Sequence, residues 1–201
     1  ARLHAAAEQW LALRPGLPDR VQGLVWQGRI YGYARDHDKS LAKYREALAL
    51  DPNHFEARYH LAIALVQSAP DECLRHFDIL IHQKPGNRFI RFLVATTRRR
   101  FGQFAGARQV LDTMLAADPN DFAALIELAQ LNMDEGKPAA AEPLLERALR
   151  LGPNVPEANL AMSRCQQLAG RPDRAEHYRK RFEETDAERR RPRGQTPLPQ
   201  P

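Results

Sequence analysis

The sequence predicts an all-α protein in which antiparallel helix pairs stack side by side as a solenoid. Three observations predict it. Pro18, Pro52, Pro85, Pro119 and Pro153 recur at intervals of 34, 33, 34 and 34 residues, so one unit of fixed period is repeated along the chain with a single deletion. Within that register, apolar and small residues return at spacings of three, four and seven, the pattern of one buried helix face. Between the helical stretches stand proline stops such as Asp51-Pro52-Asn53 and Asp118-Pro119-Asn120. Proline lacks the amide donor and restricts the residue before it, so each helix has to end there.

Taken in order, residues 1–14 read as the second helix of a partial preceding repeat, with Ala6, Trp10 and Leu13 at helical spacing. An extended connection, RPGLPD, leads to five repeats at 21–54, 55–87, 88–121, 122–155 and 156–187. The eighth place of each is small: Gly28, Ala62, Ala95, Ala129 and Ser163. Near the twentieth stand Ser40, Cys73, Ala107, Ala141 and Ala175. Small residues at both places let the two backbones of a pair approach closely. Four residues on come the larger Tyr44, Phe77, Leu111 and Leu145, with Arg179 departing from the pattern in the fifth repeat. Gly102, Gly136 and Gly170 mark the turn inside a repeat, where a helix end favours positive φ; the second repeat lacks this glycine. Residues 188–201 combine arginines with Pro197, Pro199 and Pro201 and read as a disordered tail unable to form a packed core.

Composition narrows the functional classes. The formal charge is +5, but Arg189, Arg190, Arg191 and Arg193 of the tail supply four of those charges, so the balance argues against a nucleic-acid partner. No run reaches the ~18 apolar residues of a membrane helix. Compartment and oligomeric state stay open. Cys73 and Cys165 have no CxxC spacing and each fits a small packing position, so neither a disulfide nor a zinc site is expected. Cys73 and His76 share a helix face at i, i+3, yet two ligands do not make a metal site. Acidic pairs such as Asp71-Glu72 and Asp134-Glu135 are sequence neighbours that do not converge on a substrate. No phosphate loop or nucleophile motif is present. The expectation is a non-catalytic protein without metal or cofactor.

The repeat pattern resembles the tetratricopeptide repeat family over roughly residues 21 to 187, and more loosely the tandem arrays of bacteria such as planctomycetes, where such arrays sit behind a membrane anchor. The resemblance implies a right-handed superhelix that binds a peptide or protein segment in its concave groove. In that family a stripe at roughly places 2, 5, 9 and 12 of each first helix faces the groove. Those places give the candidate partner-binding residues Arg29, Tyr59, Ile63, Phe89, Phe92, Arg99, Ile126, Gln130, Met133, Leu160 and Arg164. An apolar centre edged by Arg29, Arg99 and Arg164 suits a segment with apolar anchors and some acidic residues. Of Arg98, Arg99 and Arg100, which point about 100° apart on a helix, only Arg99 lies on the stripe. Val25 and Arg29 stand where the family's chaperone-carboxylate clamp needs Lys and Asn, so that subclass is not expected. The alternative function is the substrate- or partner-recognition arm of a larger enzyme or membrane-anchored protein.

Overall fold

A computed structural model describes residues 17–190 and, ahead of them, Ala5, Gln9, Ala12 and Leu13, which are helical. The rest of the expected leading helix, and the tail from residue 191 onward, lie outside the described residues. All regular structure among the described residues is helical. The chain divides into two compact units, residues 1–97 and 98–201.

In the first unit α1 (Leu17–Tyr33) pairs with α2 (His37–Leu50), and α3 (Phe55–Leu65) pairs with α4 (Pro70–Gln83). The two hairpins stack: α3 packs on α2 and also touches α1. Most of α5 (Arg88–Arg100) belongs to this unit. Val21, Val25, Leu61, Leu65, Phe77 and Leu80 are fully buried or nearly so and form its core. In the second unit α6 (Phe104–Ala117) packs on α7 (Phe122–Asp134), which pairs with α8 (Pro138–Leu151). The next hairpin, α9 (Pro156–Leu168) with α10 (Pro172–Arg190), stacks through α9 on both α7 and α8. Its core gathers Leu125, Ala129, Leu145, Ala148, Met162 and Cys165. Each unit is thus a stretch of α solenoid in which one hairpin covers the oily face of the next.

The matched small residues do what close backbone approach requires. Ser40 Oγ donates to Gly28 O across the α1–α2 pair at 2.8 Å, and Ser163 Oγ donates to Ala175 O across α9–α10 at 2.7 Å. These are the same two places with the hydroxyl moved from one helix to the other. Between them, Ala62, Cys73, Ala95, Ala107, Ala129 and Ala141 are completely buried.

Inside the hairpins, Gly102, Gly136 and Gly170 take φ of 72°, 74° and 73°. The amide after each bonds to the carbonyl five residues back, as from Lys137 N to Asn132 O at 2.8 Å, which closes the helix end. The first hairpin makes the same turn with Arg35 at φ 59°, although a side chain is strained there. Arg35 is exposed, so Arg35→Gly is expected to stabilise the first unit by about 0.5–1 kcal/mol, the relief of the left-handed strain less the added freedom of the unfolded chain. Urea denaturation followed by circular dichroism measures it, and an unchanged or lowered midpoint contradicts the strain.

Between hairpins the proline stop is built from several bonds. Asp51 and Asp118 accept from the amides of Asn53 and Asn120 at 3.0 and 2.9 Å, closing the turn. His54, Asn87 and Asp121 then cap the following helix by accepting from Ala57, Ile90 and Ala124 amides. The carbonyl of the turn proline is taken by the fourth residue of that helix, Arg58 on Pro52 and Asn159 on Pro153. Arg147 and Arg181, at one place of successive hairpins, reach back to the turn residues Asn120 and Asn154.

Two boundaries differ from the sequence reading. Pro18 is the second residue of α1 and not a connection residue, because its fixed φ suits the opening turn of a helix. At the other end α10 runs to Arg190, so Glu188, Arg189 and Arg190 are helical where a disordered tail was expected. Arg179, the departure in the fifth repeat, sits on the solvent side of α10 and pairs with Glu176 at 2.8 Å. A charged outer face there requires no apolar partner.

Candidate interaction surface

In the first unit the stripe runs over α1, α3 and α5. Glu56 on α3 accepts from Gln22 on α1 at 3.1 Å and lies 3.7 Å from the Arg29 guanidinium. Its third neighbour is His60 at 3.6 Å. Burial holds the His60 imidazole below its ordinary range, against the pull of Glu56, with Arg29 adding to the depression. The ring is stacked on buried Tyr44 with centroids 5.6 Å apart and meets Tyr59 edge-on at 5.1 Å. Tyr59 in turn lies 6.3 Å from Phe89. A chain of four rings therefore leads from the core to the surface, where Phe89 is 55% exposed and Ile63 39% exposed. Tyr59 and Phe92 are half-buried.

In the second unit the stripe is organised around Arg99. Its Nε donates to Glu127 Oε1 at 2.6 Å, its Nη2 to Gln130 Oε1 at 3.0 Å, and its Nη1 to Asp134. Asp134 also accepts from Arg164 of α9 at 2.9 Å, so one carboxylate joins two arginines. Burial works against the Arg99 charge, but the bonds to Glu127 and Asp134 outweigh it and hold the guanidinium above its ordinary range. The network ties the stripe residues to one another and leaves Leu160, 49% exposed, as the apolar group in the open.

The structure sorts the eleven candidates. Tyr59 and Phe89 come together in the first unit, with exposed Ile63 one turn on from Tyr59 and half-buried Phe92 one turn on from Phe89 along their helices, while Arg29 pairs with Glu56. Leu160, Arg164 and Gln130 keep surface in the second. Ile126 and Met133 do not. Both are buried in the core cluster of α7, α8 and α9, because the apolar flank of α7 is covered from two sides, and they are withdrawn from the surface. Arg29, Arg99 and Arg164, read from the sequence as cations for a partner, are each paired with a carboxylate of a neighbouring first helix. Glu127, which completes the Arg99 pair, carries no signal in the sequence reading, and Asp134 enters it only as one of two neighbouring acids.

Both cysteines are free and buried. Burial pushes the Cys73 thiol up to about 11, and burial with the nearby Glu142 charge raises Cys165, so neither is a thiolate near neutral pH. Among the described residues no three His, Cys, Asp or Glu side chains are placed to hold a metal ion. No described helix is long and apolar enough to cross a membrane.

Stacked two-helix hairpins of this period and packing define a helical-repeat protein, and comparison with known proteins gives the family. Tetratricopeptide repeat models match residues 26–88 and 92–156, and a second such model matches 132–188. The chain belongs to the tetratricopeptide repeat family. Human protein O-mannosyl-transferase TMTC3 is 27% identical over 152 residues, which are 72% of this chain but 17% of that protein. The chain therefore spans about a sixth of that relative's length. Among solved structures, the type IV pilus biogenesis factor PilW superposes with a TM-score of 0.73 at 21% identity, covering 91% of this chain and 84% of PilW. A MamA fragment from Desulfovibrio magneticus RS-1 gives 0.71 at 15% identity, covering 88% and 100%. These likenesses are of fold. Family membership makes the chain a protein-interaction scaffold.

Proposed function

We propose that the chain binds an extended or helical protein segment on the first-helix stripe within a unit, without catalysing a reaction on it. The observation that carries this is the open apolar surface on the first unit's stripe, Phe89 beside half-buried Tyr59 with exposed Ile63 one turn along the same helix as Tyr59. Exposed aromatic anchors supported by a rigid neighbour are what a helical or extended partner needs for affinity. The ring chain back to buried Tyr44 supplies that rigidity, so little side-chain freedom is lost when a partner arrives. Affinity capture compares the native chain with a Tyr59→Ser/Phe89→Ser variant, whose melting temperature is checked in parallel. The expected result is a co-purifying protein reduced about tenfold or more in the variant, the scale of one hot spot; equal recovery overturns the proposal.

The match to a small part of an O-mannosyl-transferase favours a second reading. In it the same stripes select the substrate or partner of a larger protein. Reading the coding sequence on both sides of the chain separates the two.

A further inference from the structure

We infer that a segment bound on the first-helix stripe of either unit is uncharged along its contact length and anchored by aromatic and aliphatic side chains, with an affinity nearly independent of salt. This rests on the functional reading above and names the chemistry of its partner. Sequence alone places three arginines on the stripes and so suggests acidic residues in the partner. The structure has already given each of those arginines a carboxylate within the protein. Arg29 pairs with Glu56, Arg99 with Glu127 and Asp134, and Arg164 with Asp134. Glu157, the remaining acid of the stripe, is paired with Arg189 of α10.

These pairings act against a charged partner of either sign. An incoming carboxylate at Arg99 finds three guanidinium nitrogens already donating and meets Glu127 and Asp134 as like charges. An incoming ammonium at Asp134 competes with two arginines that already neutralise its charge, one on each oxygen. At Arg99 a bond network whose Glu127 carboxylate is nearly sealed from water would be broken to make one new contact, and a buried charge left without its partner is costly. The groups that offer contact without such rearrangement are apolar: Ile63 and Phe89 in the first unit and Leu160 in the second. The protein's own ion pairs therefore hold the stripes in shape, while the anchoring contacts are hydrophobic.

The test uses a random peptide library displayed on phage, selected against the immobilised full chain. Individual peptides are then measured by fluorescence anisotropy at about 0.05 and about 0.5 M sodium chloride, a range over which exposed charge pairs become strongly screened. The expected peptides are rich in Phe, Trp, Leu and Ile and poor in Asp and Glu. Their Kd should change less than about twofold with salt, weaken about tenfold or more in Phe89→Ser, and change less than about threefold in Arg164→Ala, as for a rim charge beside an apolar hot spot. Phe89 is exposed, and an unchanged melting curve confirms that its variant stays folded. An acidic consensus, or a Kd that rises tenfold with salt, overturns this inference and leaves the binding function standing. Recovery of no peptide above background overturns the binding function and this inference with it.

Discussion

Arg99→Ala is expected to destabilise the second unit by about 3 kcal/mol, the usual loss when one partner of a buried ion pair is removed. The guanidinium bonds Glu127, Gln130 and Asp134 at once, and the Glu127 side chain is only 6% exposed. Without Arg99 that carboxylate has neither water nor its counter-charge, whereas Asp134 keeps Arg164. The loss therefore comes mainly from stranding Glu127. This reasoning makes a second demand: Arg99→Met combined with Glu127→Leu removes both charges and fills the space, so the double variant should regain most of the stability lost in Arg99→Ala. Urea denaturation of the native chain, Arg99→Met, Glu127→Leu and the double closes the cycle. A double variant as unstable as the sum of the singles would mean that the network holds the helices for a reason other than charge pairing.

What was legible in the sequence follows from how sharply each feature is encoded. Proline abolishes a backbone bond outright, and a left-handed turn strongly prefers glycine, so Pro52, Pro119, Gly136 and Gly170 announced helix ends that the structure also has. The same signals misled where one residue type serves two purposes. Pro18 looked like another stop but opens α1, since proline suits a first turn as well as a connection. The turn at Arg35 gave no signal, because an arginine there pays in strain for a conformation that glycine adopts freely.

The interaction surface was less legible than the fold. Ile126 and Leu160 hold the same place in successive first helices, yet one is buried and the other half exposed. The difference lies in what stacks beside each helix and is absent from the local pattern. The arginines pose a related problem, since a charge on a helix stripe reads alike whether its counter-charge belongs to a partner or to the next hairpin. Arg99 finds Asp134 at 35 residues' distance, one more than the repeat period, and Glu127 at 28. A search for opposite charges offset by about one period would have found Asp134 but not Glu127.

Gly28→Ala is expected to cost about 2 kcal/mol, although alanine is the better helix former by about 1 kcal/mol. A Cβ at Gly28 would lie 2.4 Å from Tyr44 Cε1, 2.7 Å from Cδ1 and 2.9 Å from Cζ. The ring is 4% exposed and stacked on His60, so it has no vacant direction in which to move. The chain contains the remedy. Where the eighth place is Ala95 or Ala129, the facing residue is Leu111 or Leu145, and all four are completely buried. Tyr44→Leu alone leaves a gap over Gly28 and is expected to destabilise by about 2 kcal/mol. Gly28→Ala with Tyr44→Leu recreates the combination used in the later repeats, and it should lie within about 1 kcal/mol of the native protein, with Ser40 still donating to the carbonyl of residue 28. Thermal and urea melts of the four proteins measure the coupling. If the two losses simply add, the fit between the eighth place and the residue facing it is not what sets how closely the helices of a hairpin approach.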